Sequence, residues 1–152
     1  MIATPVFGYK SHIAIDRRFG FIRESAVTSA SHADGRMLPR LVTTDNTSSE
    51  VWADSAYRSQ KNEKWLASKI LVSRIHRRKP AGKPMPQNIA RANAGKSSIR
   101  AAVEHVFAHQ KNRFGLFIRT IGIARAEAKL ILANIAYNFE RLIFHERAKT
   151  TG

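Results

Sequence analysis

The chain has 152 residues and 17.1 kDa, with 26 Lys and Arg against 11 Asp and Glu, a net charge of +15 and a pI of about 11.1. That length suits one domain with a real core, and 43% hydrophobic residues argues against a disordered basic tail. The absence of cysteine excludes disulfides, Cys-ligated zinc, iron–sulfur clusters and thiol nucleophiles. No run of eighteen apolar residues spans a membrane, and the first ten residues carry no secretion signal. A soluble, cytoplasmic protein with an anionic partner is expected, nucleic acid ahead of acidic lipid.

In chain order, HIAID at 12–16 places Ile13 and Ile15 on one face, and RRFG at 17–20 supplies a turn into a β-branched run over 21–28. This predicts an antiparallel hairpin. Residues 31–44 carry Met37, Leu38, Leu41 and Val42 at helical spacing, with Pro39 shortening the helix. A short apolar strand ending in Asp54 is expected over 50–54, a helix over 59–68 and a second buried strand, ILVSRI, over 70–75. Two helices follow, over 98–113 and 124–148. In the second, residues 130–136 are apolar nearly all round, which predicts packing on more than one side. The order implies an α/β domain with a mixed sheet flanked by helices.

The charge is concentrated. Between Glu63 and Glu104 there is no acid and there are ten bases, among them Arg74, Arg77, Arg78, Lys79, Lys83 and Arg100. With Pro80, Pro84 and Pro86 inside it, the stretch at about 76–97 predicts a basic loop, read either as a phosphate-contacting arm or as a solvated linker.

Two of the scarce acids fall in structured places. Asp54 ends a predicted strand, where ligands bind in α/β sheets, and it could equally cap the next turn. On the helix containing Glu104, at about 100° per residue from Ile99, Val103 and Val106 lie within about 40°, while Arg100, Glu104 and Lys111 fall near 100°, 140° and 120°. They form one charged line beside the apolar stripe, suited to a cleft edge or to an ordinary surface ion pair. Two carboxylates in a basic protein suggest Mg²⁺ or Mn²⁺ held against a phosphodiester. His105 and His109 are one turn apart but lack a third ligand, and are expected at the surface or core edge. Trp52, Tyr57 and Trp65 are candidates for base stacking or for the core, and Arg58 for a DNA contact.

At these residues the chain resembles a known family. FGYKSHIAID, VTSASHAD, VWADSAYRS and RAAVEHVFAHQK are similar to segments of the DDE transposases of bacterial insertion sequences, in the IS5 branch of the IS4-like group, over about Phe7 to Phe139. The resemblance implies an RNase H-like fold and makes Asp54 the second catalytic aspartate. It makes Glu104 the catalytic glutamate of a Y-x2-R-x3-E-x6-K signature, matched by Arg100 and Lys111, with Ser97 in place of the tyrosine. It also implies an upstream aspartate on a first strand. Only six residues precede Phe7, and none is acidic. The expectation is therefore a truncated catalytic domain over 1–148, lacking its first strand, with a tail at 149–152. Asp16 is a weak substitute for the missing ligand. The implied activity is Mg²⁺-dependent cleavage and strand transfer at insertion-sequence ends, lost or poor in this chain alone. The alternative is a non-enzymatic DNA-binding remnant that inhibits a full-length transposase. The implied partners are double-stranded DNA, in the bacterial nucleoid, and a second copy on DNA ends, with neither membrane nor small-molecule substrate.

Overall fold

The hairpin expected over 12–28 forms the centre and one edge of a three-stranded antiparallel sheet in the computed structural model, which describes residues 2–6, 8–44, 50–116 and 122–151. Phe7, where the family resemblance begins, and Gly152, the last residue of the expected tail, lie outside the described residues. Strand β1 (Ile2–Val6) pairs with β2 (Tyr9–Ile15) from Ile2↔Ile13 to Val6↔Tyr9. The sequence reading had no strand there; Pro5 disguises it, and the edge position is where a sheet tolerates proline. Strand β3 (Ile22–Ser29) pairs with the other side of β2, with a bulge between Ala14 and Ile15.

The β2–β3 turn is built by Asp16. Its carboxylate accepts from the N–H of Phe19 at 2.6 Å, Gly20 at 3.3 Å and Phe21 at 3.0 Å, and from Arg23 Nε at 3.3 Å. Gly20 has φ +75°, and a Cβ there would lie 3.2 Å from the guanidinium of Arg141, which donates to Phe19 O at 2.7 Å.

Side-chain alternation gives the sheet two apolar faces. Ile13, Ile15 and Ile22 meet Val103, Val106 and Tyr137 of the two long helices, α3 (Gln87–Arg113) and α4 (Ile123–Thr150). Asn138 ties α4 to the sheet by exchanging two bonds with the backbone of Ile22, at 2.8 and 2.9 Å. The opposite face carries Ala14 and Ala26, packed with Leu38, Leu41, Val51, Ala53, Tyr57, Leu66 and Ile75. This second core gathers a 3-10 turn (Asp34–Met37), α1 (Leu38–Leu41), β4 (Glu50–Val51), a second 3-10 turn (Ser55–Tyr57), α2 (Gln60–Ser68) and β5 (Val72–Ser73). β4 and β5 pair in parallel through α2, and the pairing runs on through Arg74 N to Val51 O and His76 N to Ala53 O. The fold is mixed α/β, with an antiparallel and a parallel sheet as separate units. No helix among the described residues is long and apolar enough to cross a membrane.

Four expectations need correction. The basic loop is shorter than 76–97, because α3 starts at Gln87 rather than at residue 98. All three prolines precede that point, and a single interior glycine, Gly95, costs only about 1 kcal/mol. The helix expected over 31–44 is a 3-10 turn plus one α turn, since Pro39 fits only the first turn and Val42 is already extended. The buried strand over 70–75 shrinks to Val72–Ser73, with Ile70 90% and Val72 47% exposed. Ile70 and Leu71 instead close α2: Leu71 N donates to Leu66 O and Ile70 N to Ala67 O, with Ile70 at φ +59°. Residues 130–136 pack on one side only. Leu130 and Ala133 are buried, whereas Ile131, Leu132 and Ile135 face outward.

Candidate active site

The segment VWADSAYRS leaves β4 and turns sharply at Asp54. Asp54 Oδ1 caps the 3-10 turn, accepting from Ala56 N at 3.3 Å and Ser55 Oγ at 3.1 Å. The other oxygen, Oδ2, lies 3.6 Å from Arg100 Nη1. Arg100 Nη2 in turn donates to Glu104 Oε1 at 2.7 Å. One guanidinium thus bridges two carboxylates that are fifty residues apart in the chain. Asp54 thus caps the turn with Oδ1, as one of its two sequence readings expected, while Oδ2 faces Arg100.

The turn is fixed from behind. Tyr57 is fully buried, and its hydroxyl pairs with His12 Nδ1 at 3.0 Å while His12 Nε2 pairs with Thr28 Oγ1 at 2.8 Å. Tyr57 is therefore a core residue and not a base-stacking one. Burial holds His12 below the usual histidine range and pushes the Tyr57 phenol up. Asn62 Nδ2 donates to Tyr57 O at 2.7 Å and Gly35 O at 2.8 Å. A Cβ on Gly35 would sit 3.0 Å from Ala56 O, so the two 3-10 turns are in backbone contact.

Further basic groups lie near Arg100. Lys96, one helical turn before Arg100, donates to Ile75 O at 3.2 Å, the carbonyl that also accepts from Arg58 Nη1 at 3.0 Å. Burial, then the neighbouring Arg58, Arg77 and Arg74, holds the Lys96 ammonium below its ordinary range. Burial and Arg100 do the same to His76. A cavity of about 630 Å³ opens beside Arg100, with Asp16, Arg17, Arg74, Lys96 and Arg100 among its walls. Neither Lys96 nor His76 was singled out from sequence. The signal for Lys96 was its spacing, i−4 from Arg100 and i−8 from Glu104.

The other expected site residues divide. Arg74 is engaged by Glu50, through Nη2 at 2.8 Å and Nε at 3.1 Å, and lies over Trp52. Arg58 also faces Glu63 at 3.6 Å. Arg78 donates to Ser55 O and Ala56 O, at 3.0 and 3.3 Å. Arg77 is held through its backbone, which exchanges two bonds with the Asn93 amide of α3. Lys79 and Lys83 are exposed on the loop. Lys111 is exposed on α3, about 10 Å along the axis from Glu104, and does not join the acid pair. The Asp16 carboxylate is occupied by its own turn. His109 pairs with Glu140 at 2.6 Å and packs on Tyr137, at the core edge.

No group of three or more metal-ligating side chains occurs among the described residues. The two carboxylates at Arg100 are hard oxygen donors, suited to a small divalent ion that takes one or two carboxylates and completes its shell with water and phosphate oxygens.

The family description Transposase DDE domain matches residues 5–139. No curated protein and no solved structure matches the chain. With the match covering most of its length, the chain belongs to the transposase DDE domain family, which places its role in DNA transposition and makes DNA its partner.

Proposed function

We propose that this chain carries the catalytic domain of an IS5-branch transposase with an RNase H-like core, and that it binds duplex DNA across the Asp54–Glu104 pair. The observation that carries the reading is the Arg100 bridge, which puts the two motif acids on one guanidinium. Asp54 and Glu104 would hold Mg²⁺ or Mn²⁺. When bound, such an ion activates the attacking oxygen and stabilises the leaving one in phosphodiester displacement. Arg100 is placed to exchange its carboxylate partners for a DNA phosphate, a change its fork of N–H donors suits. Arg74, Lys96 and the loop carrying Arg77, Arg78, Lys79 and Lys83 supply the counter-charge that draws DNA in.

Two acids, with no third beside them among the described residues, make a weak metal site. We infer that the chain alone binds DNA and cleaves it poorly, which also suits it to act as a non-catalytic competitor of an active transposase. The exposed face of α4 supports pairing with a second copy. Leu132, Ile135, Phe139 and Leu142 stand open at alternating three- and four-residue spacing, the seam of a helix–helix contact.

Incubating the full chain with supercoiled plasmid and Mn²⁺, and measuring binding of a 20-base-pair duplex against salt, tests the reading. The expected result is binding with a log K that falls steeply with log salt, unchanged in Asp54→Asn, and little nicking. Robust nicking abolished by Asp54→Asn would overturn the inactivity. Salt-insensitive or undetectable DNA binding would overturn the whole proposal.

A further inference from the structure

The Ser55–Tyr57 turn borders a second depression, of about 790 Å³, in which neither Asp54, Glu104 nor Arg100 takes part. Five cations line it: Lys10 from β2, Arg36 from the first 3-10 turn, Arg58, Lys61 from the start of α2, and Arg78 from the basic loop. Among the described residues the one acid in its lining is Asp34, and Lys10 already holds that carboxylate at 2.8 Å. Arg78 is anchored by the Ser55 and Ala56 carbonyls and Arg58 by Ile75 O, with Glu63 facing the same Arg58 nitrogen at 3.6 Å; both guanidinium groups keep further N–H donors. Arg36 and Lys61 are exposed, and neither forms an ion pair among the described residues.

Like charges brought to one concavity from five places in the chain repel one another unless an anion joins them. Two rigid guanidinium forks and two free cations favour a tetrahedral oxyanion with several acceptor oxygens over a planar carboxylate. We propose that this depression seats backbone phosphates of DNA, as a contact separate from the acid pair. The inference rests on the DNA-binding reading above and adds Lys10, Arg36 and Lys61 to the interface. The same turn then serves two ends: its Asp54 carboxylate faces Arg100, and its Ser55 and Ala56 carbonyls hold Arg78 for the phosphate.

The test compares Arg36→Ala/Lys61→Ala with a control of equal charge loss, Arg125→Ala/Lys129→Ala, two exposed cations on α4. Neither pair anchors the fold. Fluorescence anisotropy with a 20-base-pair duplex between 50 and 200 mM KCl is the readout, alongside ³¹P NMR titration with inorganic phosphate. In Arg36→Ala/Lys61→Ala the log–log salt slope should fall by about 2 and affinity near 0.1 M salt by about ten- to fifty-fold, with little change in the control. An effect no larger than the control's overturns the proposal while leaving the DNA-binding reading intact. Absence of salt-dependent binding by the unaltered chain removes that reading itself. Saturable inorganic phosphate binding that needs Arg36 and Lys61 but is not displaced by duplex also overturns the proposal, and assigns a free small anion instead.

Discussion

Replacing Arg100 with alanine removes the guanidinium that Asp54 and Glu104 share. The structure bounds what that costs in stability. The side chains of Arg100, Asp54 and Glu104 are 37%, 32% and 52% exposed, so solvent screens both contacts. The Glu104 contact is an i,i+4 helix pair, worth about 0.3–0.5 kcal/mol, and the longer Asp54 contact adds a few tenths. A loss of about 0.5–1 kcal/mol in a domain of this size lowers Tm by about 1–4 °C. The expected effect on function is larger. DNA affinity should drop with a salt slope shallower by about one, while Mn²⁺ binding persists or tightens, because both carboxylates are freed of a competing cation. Calorimetry, anisotropy and Mn²⁺ electron paramagnetic resonance on the same preparation separate these. A Tm drop above about 8 °C would show that Arg100 is a structural residue and refute the reasoning. Loss of Mn²⁺ binding with an unchanged DNA slope would show that the guanidinium acts by positioning the acids.

Three further outcomes follow from the geometry. Ile70 is a β-branched residue at φ +59°, 90% exposed, so Ile70→Gly relieves backbone strain and should stabilise the chain by about 0.5–1 kcal/mol, read as a higher urea midpoint; a lower midpoint contradicts this. Asn62 is 3% exposed and satisfies two backbone carbonyls, so Asn62→Ala should cost about 2–4 kcal/mol in urea unfolding, and a cost under about 0.5 kcal/mol would show the two turns are held otherwise. His12 and His76 are held below their ordinary range, so the unfolded chain binds more protons than the folded one just below pH 6.5. Stability should then fall between pH 6.5 and 5.5 by at most about 1.4 kcal/mol per histidine, and a flat profile there would deny the depressed values.

What could be read from sequence was what is local and periodic. The hairpin showed in the alternation of HIAID and in the Arg-Arg-Phe-Gly turn, and the Glu104 helix in the recurrence of Ile99, Val103 and Val106. Arithmetic also put Arg100 beside Glu104. It could not put Arg100 beside Asp54, because that contact depends on how α3 crosses the end of β4. The errors have local causes of their own. Ile70, apolar and β-branched, reads as strand but is spent on closing α2 in a conformation its side chain disfavours. The start of α3 reads as loop because its first ten residues bury little and follow three prolines; its anchor is the Asn93 amide on the Arg77 backbone, which no periodicity announces. The cations at Lys10, Arg36 and Lys61 converge only through the packing of β2, a 3-10 turn and α2.

The two oxygens of Asp54 decide how the site should be probed. Alanine at this position removes both the cap and the exposed carboxylate, so a loss of function after Asp54→Ala mixes a disordered turn with missing chemistry. An N-cap replaced by alanine costs about 1 kcal/mol, and this turn also carries Tyr57, on which the second core rests. Asparagine keeps an Oδ1 able to accept from Ala56 N and Ser55 Oγ, and caps about as well as aspartate, yet has no charge to offer Arg100 or a cation. Asp54→Asn should therefore unfold within about 0.5 kcal/mol of the unaltered chain and lose Mn²⁺ binding. Should Asp54→Asn instead destabilise as much as Asp54→Ala while Mn²⁺ binding survives, the carboxylate charge would belong to the fold and the candidate metal site would have to be sought elsewhere.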